Sequence, residues 1–302
     1  MPELPEVETT ARGLRKTILG LTIKDVWTDL MTTDKRKSDS VANPKFFKTF
    51  RKKVANEKIL SIERRAKNIL INISGGNTIL IHLKMTGHLL YGKYDYIKNI
   101  NKWTPDEKGP LHDPFNRFVH VVFSFNNHKH LAFSDTRKFG KITLLDTKTA
   151  HDTKHLNNIG PEPLEKKFTL SKLKERLSKK PNGKIKTVLM DQSVIAGIGN
   201  IYSDEILWRA SVHPERRVSK IKEAESKLIF KAIKETLTKG INFGGDSMSD
   251  YRNIHGLPGK FQSQHQAYRL TGEKCRKPRC KGIILRKVIN GRSAHFCSVH
   301  QK

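Results

Sequence analysis

ILINISGGNTILIHL, residues 69–83, sets two apolar runs on either side of Gly75-Gly76-Asn77. Runs of strand length joined through glycines read as a β-hairpin, so 69–74 and 78–83 are expected to pair antiparallel. Outward from this hairpin the same period continues. Residues 118–125 and 131–134 flank a polar turn at Asn126-Asn127, and 141–145 follows Gly140. The stretch from about 21 to 147 therefore reads as a mostly antiparallel sandwich or barrel. Before it, Val7, Ala11, Leu14 and Ile18 recur at helical spacing, Pro5 suits a first turn and Gly20 a stop, which predicts a helix over 6–19. Residues 92–116, with four lysines and little periodicity, read as a loop or insertion.

Beyond a polar connector at 148–168 the period becomes helical. Leu170, Leu173 and Leu177 share one face, a short segment spans 185–190, and a helix is expected over 201–209 with Asn200 as its N-cap. Ile221, Ala224, Leu228, Ala232 and Thr236 mark a longer helix closed by Gly240. Residues 244–262 are rich in Gly, Ser and Asp and read as a mobile loop. Three modules follow: sheets over 1–147, helices with that loop over 148–262, and a cysteine-bearing unit over 263–302.

The chain has 302 residues, with 58 Lys and Arg against 29 Asp and Glu, a formal net charge of +29. A field of that sign and size favours a polyphosphate partner. It says nothing of whether the polymer is acted on or only held. No run approaches the apolar length of a membrane span. The acidic opening MPELPEVETT does not read as a signal peptide. A soluble, intracellular protein is expected.

All three cysteines lie in the last module. Cys275 and Cys280 form one short-spaced pair, Cys297 and His300 another, and between them Asn290-Gly291 is a strong two-residue hairpin turn. Three thiolates and one imidazole suit a single structural zinc ion in a clamped β-hairpin; three buried thiols and an exposed histidine are the plainer alternative. Arg286, Lys287 and Arg292 crowd the hairpin, with Arg292 just past its tip as the candidate contact to DNA. At the other end, a Met-Pro start favours loss of the methionine, leaving Pro2 as a secondary amine. An α-amino group is unprotonated roughly two hundred times more often than lysine at neutral pH, which suits Schiff-base chemistry. Glu3 and Glu6 stand beside it as candidate proton-transfer groups, although acids in a first helical turn also favour the helix dipole.

MPELPEVETTARGL at residues 1–14 resembles the opening of the bacterial formamidopyrimidine-DNA glycosylases, which remove oxidised purines such as 8-oxoguanine. The resemblance extends through Arg64-Arg65-Ala66-Lys67, His82-Leu83-Lys84-Met85-Thr86-Gly87, Ser134-Asp135-Thr136-Arg137-Lys138-Phe139-Gly140, Ile159-Gly160-Pro161-Glu162-Pro163-Leu164, Gly197-Ile198-Gly199-Asn200-Ile201-Tyr202 and the cysteine unit. It implies an α+β multidomain fold: an N-terminal antiparallel β-sandwich with an N-terminal helix, a helix–two-turn–helix domain, and a C-terminal zinc-finger β-hairpin. It implies a bifunctional glycosylase and AP lyase of base excision repair, acting as a cytoplasmic, nucleoid-associated monomer on duplex DNA with the lesion opposite cytosine. Pro2 would be the nucleophile and Glu3 the acid that helps open the sugar ring. Glu6 would support the site, and Lys67 would serve phosphate and the elimination steps. Once the base is flipped out, Met85, Arg137 and Phe139 match the residues that fill the gap and wedge the duplex. His82 joins the DNA-contacting set, Asn200 and Lys186 match phosphate clamps, and Tyr268 lies just beyond the loop that closes over the base.

Two departures from the pattern stand out. His300 occupies the place of a fourth cysteine, and the first ligand pair is spaced by four residues rather than two. An endonuclease VIII-like enzyme for oxidised pyrimidines shares the overall plan, but Leu4, Arg137 and Phe139 favour the purine enzyme. A catalytically silent zinc-hairpin binder would keep the charge and the metal ligands without needing Pro2, Glu3 and Lys67.

Overall fold

The computed structural model describes residues 1–106, 108–248 and 250–302. These form two compact units, Met1–Asn157 with Gly244–Lys260, and Asn158–Phe243 with Phe261–Lys302. The segment after the long helix thus groups with the sheets, and the cysteine-bearing hairpin groups with the helices.

The first unit begins with helix α1 (Leu4–Thr17), followed by β1 (Ile23–Thr28), α2 (Pro44–Val54), β2 (Ile59–Arg65), β3 (Asn68–Ile73), β4 (Asn77–His82) and β5 (His88–Gly92). Then come β6 (Tyr94–Ile97), β7 (Lys102–Pro105), β8 (Val119–Phe125), β9 (His130–Ser134) and β10 (Lys141–Asp146). Two antiparallel four-stranded sheets result, ordered β1-β8-β9-β5 and β10-β4-β3-β2. The 69–83 hairpin is β3 and β4, in register Ile69↔Ile81 and Ile71↔Ile79. These isoleucines share one core with Phe123 and Phe133 of the other sheet and with Val7, Leu14 and Ile18 of α1. Period-two alternation thus builds the sandwich, and α1 is held by its apolar face.

Two elements depart from expectation. Helix α2 lies where strands were expected; Asn43 caps it, its side-chain oxygen accepting from the Phe46 N–H at 3.1 Å, with Pro44 in the first turn. Phe50 and Val54 deliver the helix to the core. The lysine-rich stretch read as a loop contains a short hairpin, β6 paired with β7. Trp103 sits 5.3 Å from Tyr96 and 6.3 Å from Trp27, so aromatic packing holds strands too short to persist alone.

The second unit contains α3 (Leu170–Ser178), α4 (Ile185–Met190), α5 (Asn200–Ala210), α6 (Glu223–Asn242), β11 (Ile284–Ile289) and β12 (Arg292–Cys297). Gly199 rather than Asn200 occupies the N-cap of α5, and α6 runs through Gly240 to Asn242. The β11–β12 hairpin turns at Asn290 (φ 47°) and Gly291 (φ 74°), the left-handed pair a two-residue turn requires. Among the described residues no helix is long and apolar enough to cross a membrane.

The cap of α2 gives a direct test. Asn43→Ala should lower stability by about 1 kcal/mol, whereas Asn43→Gly should cost only about a few tenths. Chemical denaturation measures both; equal losses would mean that Asn43 acts through something other than its cap.

Candidate functional site

Helix α1 opens with buried polar chemistry. Glu3 is its N-cap, and Glu3 and Glu6 form a capping box in which the Glu3 N–H donates to Glu6 Oε2 at 2.7 Å. Glu6 is only 1% exposed. Its other oxygen, Oε1, accepts from the Asp246 N–H at 2.7 Å, and its backbone carbonyl accepts from the Tyr251 hydroxyl at 3.1 Å. Burial pushes the Tyr251 phenol well above its usual range, so it remains a donor. The loop reaches this close because Gly245 has no side chain: a Cβ there would lie 2.8 Å from Glu6 Cγ, and its φ is +86°. Pro2 is buried immediately before the cap, behind an exposed Met1.

Lys67 occupies the tight turn between β2 and β3, next to Ala66 at φ 54°. Arg64 fastens this turn to α1: its Nε donates to Glu8 at 2.9 Å and its other arm to the Ala66 carbonyl at 3.1 Å. Burial alone would raise the Glu8 carboxyl, but Arg64 and Arg12 outweigh it and hold Glu8 below its ordinary range. Across the ladder Asn68 pairs with His82. Burial, with the charges of Lys84 and Lys67, pulls His82 down to about 3. The imidazole is therefore neutral at physiological pH. Its Nδ1 accepts from the Lys84 N–H at 2.9 Å, which leaves Nε2 as a donor.

Met85 lies half-buried in the turn between β4 and β5. Arg137 and Phe139 lie in the turn between β9 and β10, both exposed, Phe139 to 47%. The Arg137 guanidinium carbon stands 4.6 Å from the Phe139 ring centroid, stacked on its face. These two turns are joined by Asp135 and Thr86, whose side chains hydrogen-bond. The site therefore includes two polar groups to which sequence reasoning gave no role.

In the second unit the expected phosphate contact of Lys186 meets a different arrangement. Its side chain is 0% exposed, and Nζ is 2.5 Å from Asp204 Oδ1 and 3.2 Å from the Ser203 hydroxyl. A buried ammonium held in this way braces the start of α5. Asp204 also accepts from the His295 backbone at 2.9 Å, tying α5 to β12. Neighbouring Glu205 accepts from the backbone N–H groups of Gln266, Ala267 and Tyr268, and so fixes the half-buried Tyr268. In the hairpin, Lys287 pairs with Glu215 at 2.5 Å and Arg286 bonds Ser293, while Arg292 stands exposed beside the turn.

The four ligand candidates converge. The donor atoms of Cys275, Cys280, Cys297 and His300 all lie within 4.8 Å of one another. Cys275 Sγ and His300 Nδ1 are 3.4 Å apart, and Cys280 Sγ and Cys297 Sγ 3.5 Å. A tetrahedron with bonds of about 2.3 Å has edges near these lengths, so the set fits one metal ion. His300 Nε2 lies 3.1 Å from the Trp208 carbonyl, which fixes the tautomer and leaves Nδ1 for the metal. Backbone N–H groups of Gly282 and Val299 each lie 3.4 Å from a cysteine sulfur. Gly282 is required, since a Cβ would come within 2.5 Å of Cys297 Sγ. Burial pushes the Cys275 thiol up to about 11, a cost that a bound cation removes.

Comparison with known proteins gives this geometry a context. Residues 1–142 match the family model described as the formamidopyrimidine-DNA glycosylase N-terminal domain, and residues 159–252 match the corresponding H2TH domain. A formamidopyrimidine-DNA glycosylase of Pelotomaculum thermopropionicum is 37% identical over 100% of this chain and 99% of its own. That of Bacillus subtilis is 36% identical over 99% and 98%. Among solved structures, the Lactococcus lactis protein in complex with DNA containing an abasic site superposes with a TM-score of 0.83 at 33% identity, covering 99% of each chain. A mutant of it in complex with Fapy-dG DNA gives 0.83 at 33% identity, covering 100% of each. With two family models matched over residues 1–142 and 159–252 and relatives aligned end to end, this chain belongs to the formamidopyrimidine-DNA glycosylase family.

Proposed function

We propose that this protein is a bifunctional DNA glycosylase and AP lyase that removes oxidised purines from duplex DNA in base excision repair. The observation that carries the reading is the placement of Pro2 directly before a capping box of two buried carboxylates, in a chain that aligns with the family along its whole length. Loss of Met1 converts the Pro2 nitrogen from a tertiary amide to a secondary amine. That nitrogen attacks C1′ of the flipped nucleotide. The glycosidic electron pair leaves with the base; the nitrogen then loses its proton, the C1′–O4′ bond breaks with its electron pair taken up by the protonated ring oxygen, and the resulting iminium acidifies C2′. Loss of a C2′ proton then expels the 3′ phosphate, and a second elimination expels the 5′ phosphate.

The carboxylates divide the work. Glu6 accepts a backbone N–H on each oxygen and holds the helix start and the loop in place. Glu3, adjacent to the amine, is the proton donor to the sugar ring oxygen. Lys67 contacts phosphate and assists the eliminations, and His82 donates from Nε2 to the backbone. Met85 fills the gap, Phe139 wedges the stack and Arg137 satisfies the orphaned cytosine. The start of α5 at Asn200 and the exposed Arg292 meet phosphates, and Tyr268 joins the DNA-contacting set. Lys186 supports that helix from within. The metal is a single zinc ion that fixes the hairpin and takes no part in the chemistry. The protein acts as a monomer on cytoplasmic, nucleoid DNA.

Borohydride trapping on duplex with 8-oxoguanine opposite cytosine tests the reading. The expected adduct maps by mass spectrometry to Pro2 of chains lacking Met1, and Glu3→Gln lowers excision by about a hundredfold or more. A crosslink at another residue, or faster excision of thymine glycol than of 8-oxoguanine, would overturn it. Elemental analysis tests the metal. One zinc per chain is expected, and Cys297→Ser should lose it along with about tenfold or more of duplex affinity. Metal-free protein with full affinity would refute the zinc assignment.

A further inference from the structure

The turn that carries Arg137 and Phe139 is built around a carboxylate facing inward. Asp135 is 0% exposed although residues 136–139 are all exposed. Its Oδ1 accepts from the Thr86 hydroxyl and from the Arg137 N–H at 3.2 Å; its Oδ2 accepts from the Gly140 N–H at 2.7 Å. Its backbone carbonyl accepts from the Lys138 N–H at 3.1 Å. Thr86 Oγ1 is itself 3.2 Å from the Arg137 N–H, so hydroxyl, carboxylate and amide form a closed triangle. Thr86 follows Met85 directly.

One buried carboxylate thus joins the turn bearing Met85 to the turn bearing Arg137 and Phe139. Both turns rest on the same ring. A Cβ at Gly140 would lie 2.2 Å from Phe133 Cζ, and one at Gly87 2.7 Å from the same atom. The two glycines let the turns sit down on Phe133, and Asp135 locks them in relative position. Two backbone donors and a hydroxyl converge on this one side chain, and losing Oδ1 alone would take an acceptor from the hydroxyl and from one of those backbone donors.

We infer that Asp135 is the positioning residue of the duplex-opening apparatus, holding the gap-filling and wedging side chains in one geometry so that a paired lesion is extruded. This rests on the proposed roles of Met85, Arg137 and Phe139. Asp135 is buried away from the surface, so its contribution is confined to strand opening and does not extend to the bond chemistry. A lesion that is already unpaired makes no demand on it.

The test compares single-turnover excision of 8-oxoguanine in a fully paired duplex with the same lesion in a short unpaired bubble, alongside thermal unfolding. Asp135→Asn, which turns one acceptor into a donor, and Thr86→Val, which removes the hydroxyl, should each slow the paired substrate by about tenfold or more while the bubble changes by less than about threefold. Thr86→Ser keeps the hydroxyl and should restore the paired rate. Should Asp135→Asn unfold, Thr86→Val and Thr86→Ser decide alone. Equal losses on both substrates, or no loss on paired duplex, would overturn the inference. Wild-type protein inactive on both would strike instead at the proposed function.

Discussion

A carboxylate taken out of water is costly unless charge-assisted hydrogen bonds replace its hydration, and this chain answers that demand repeatedly with backbone N–H groups. Glu6 joins the N-terminal cap to Asp246, and Asp135 gathers Arg137 and Gly140. Asp204 takes the His295 amide, and Glu205 takes three consecutive amides at 266–268. For Glu205, burial still pushes the carboxyl up against the pull of His265 and those amides, which shows how far from water it lies. Glu6, Asp135 and Glu205 hold segments outside the regular ladders, whereas Asp204 ties α5 to β12. The sheets and helices supply the frame; buried carboxylates set where the irregular, chemistry-bearing segments sit on it.

The use of acid inside and base outside also orders the charge. With twice as many basic as acidic residues, much of the positive charge cannot be paired within the chain. Acids committed to backbone donors are withdrawn from ion pairing, which leaves still more cation on the surface. Lys186, like Lys67 and Arg252, is buried despite its charge, and Asp204 is buried beside it. The field that attracts a polyanion and the anchors that shape its site are two sides of one distribution.

How much of this was legible in the sequence follows from the range of each interaction. The β3–β4 hairpin, the Asn290-Gly291 turn and the convergence of the cysteine and histidine pairs were readable because turn chemistry and residue spacing are local. The helix–two-turn–helix plan came through resemblance to whole motifs. Helix α2 was hidden because PKFFKTFRKKV is dominated by cations, although Asn43-Pro44 carried a start signal. The β6–β7 hairpin was hidden because its strands are four residues long and are held by Trp27, far away in sequence. The anchoring acids left no local trace. Glu6 and its amide donor at Asp246 are 240 residues apart, and Asp204 and His295 are 91 apart. The Lys186–Asp204 pair was not legible because its two partners sit on different helices.

The loop 244–260 shows what such long-range anchoring achieves. It leaves the end of α6, yet its hydrogen bonds go to the sheet-bearing unit. Asp246 donates to Glu6, Tyr251 donates to the Glu6 carbonyl, Arg252 pairs with Asp113 at 3.2 Å, and Gly256 packs on the Pro110 carbonyl. Its base is closed glycine on glycine, since a Cβ at Gly259 would lie 2.2 Å from the Gly245 carbonyl oxygen. The same Glu6 carboxylate therefore registers the start of α1, where Pro2 and Glu3 lie, and the entry of the loop. Displacing the loop would strip one oxygen of Glu6 of its donor, and shifting the helix start would strip the other. One buried side chain thus keeps the start of α1 and the entry of the loop in register with each other.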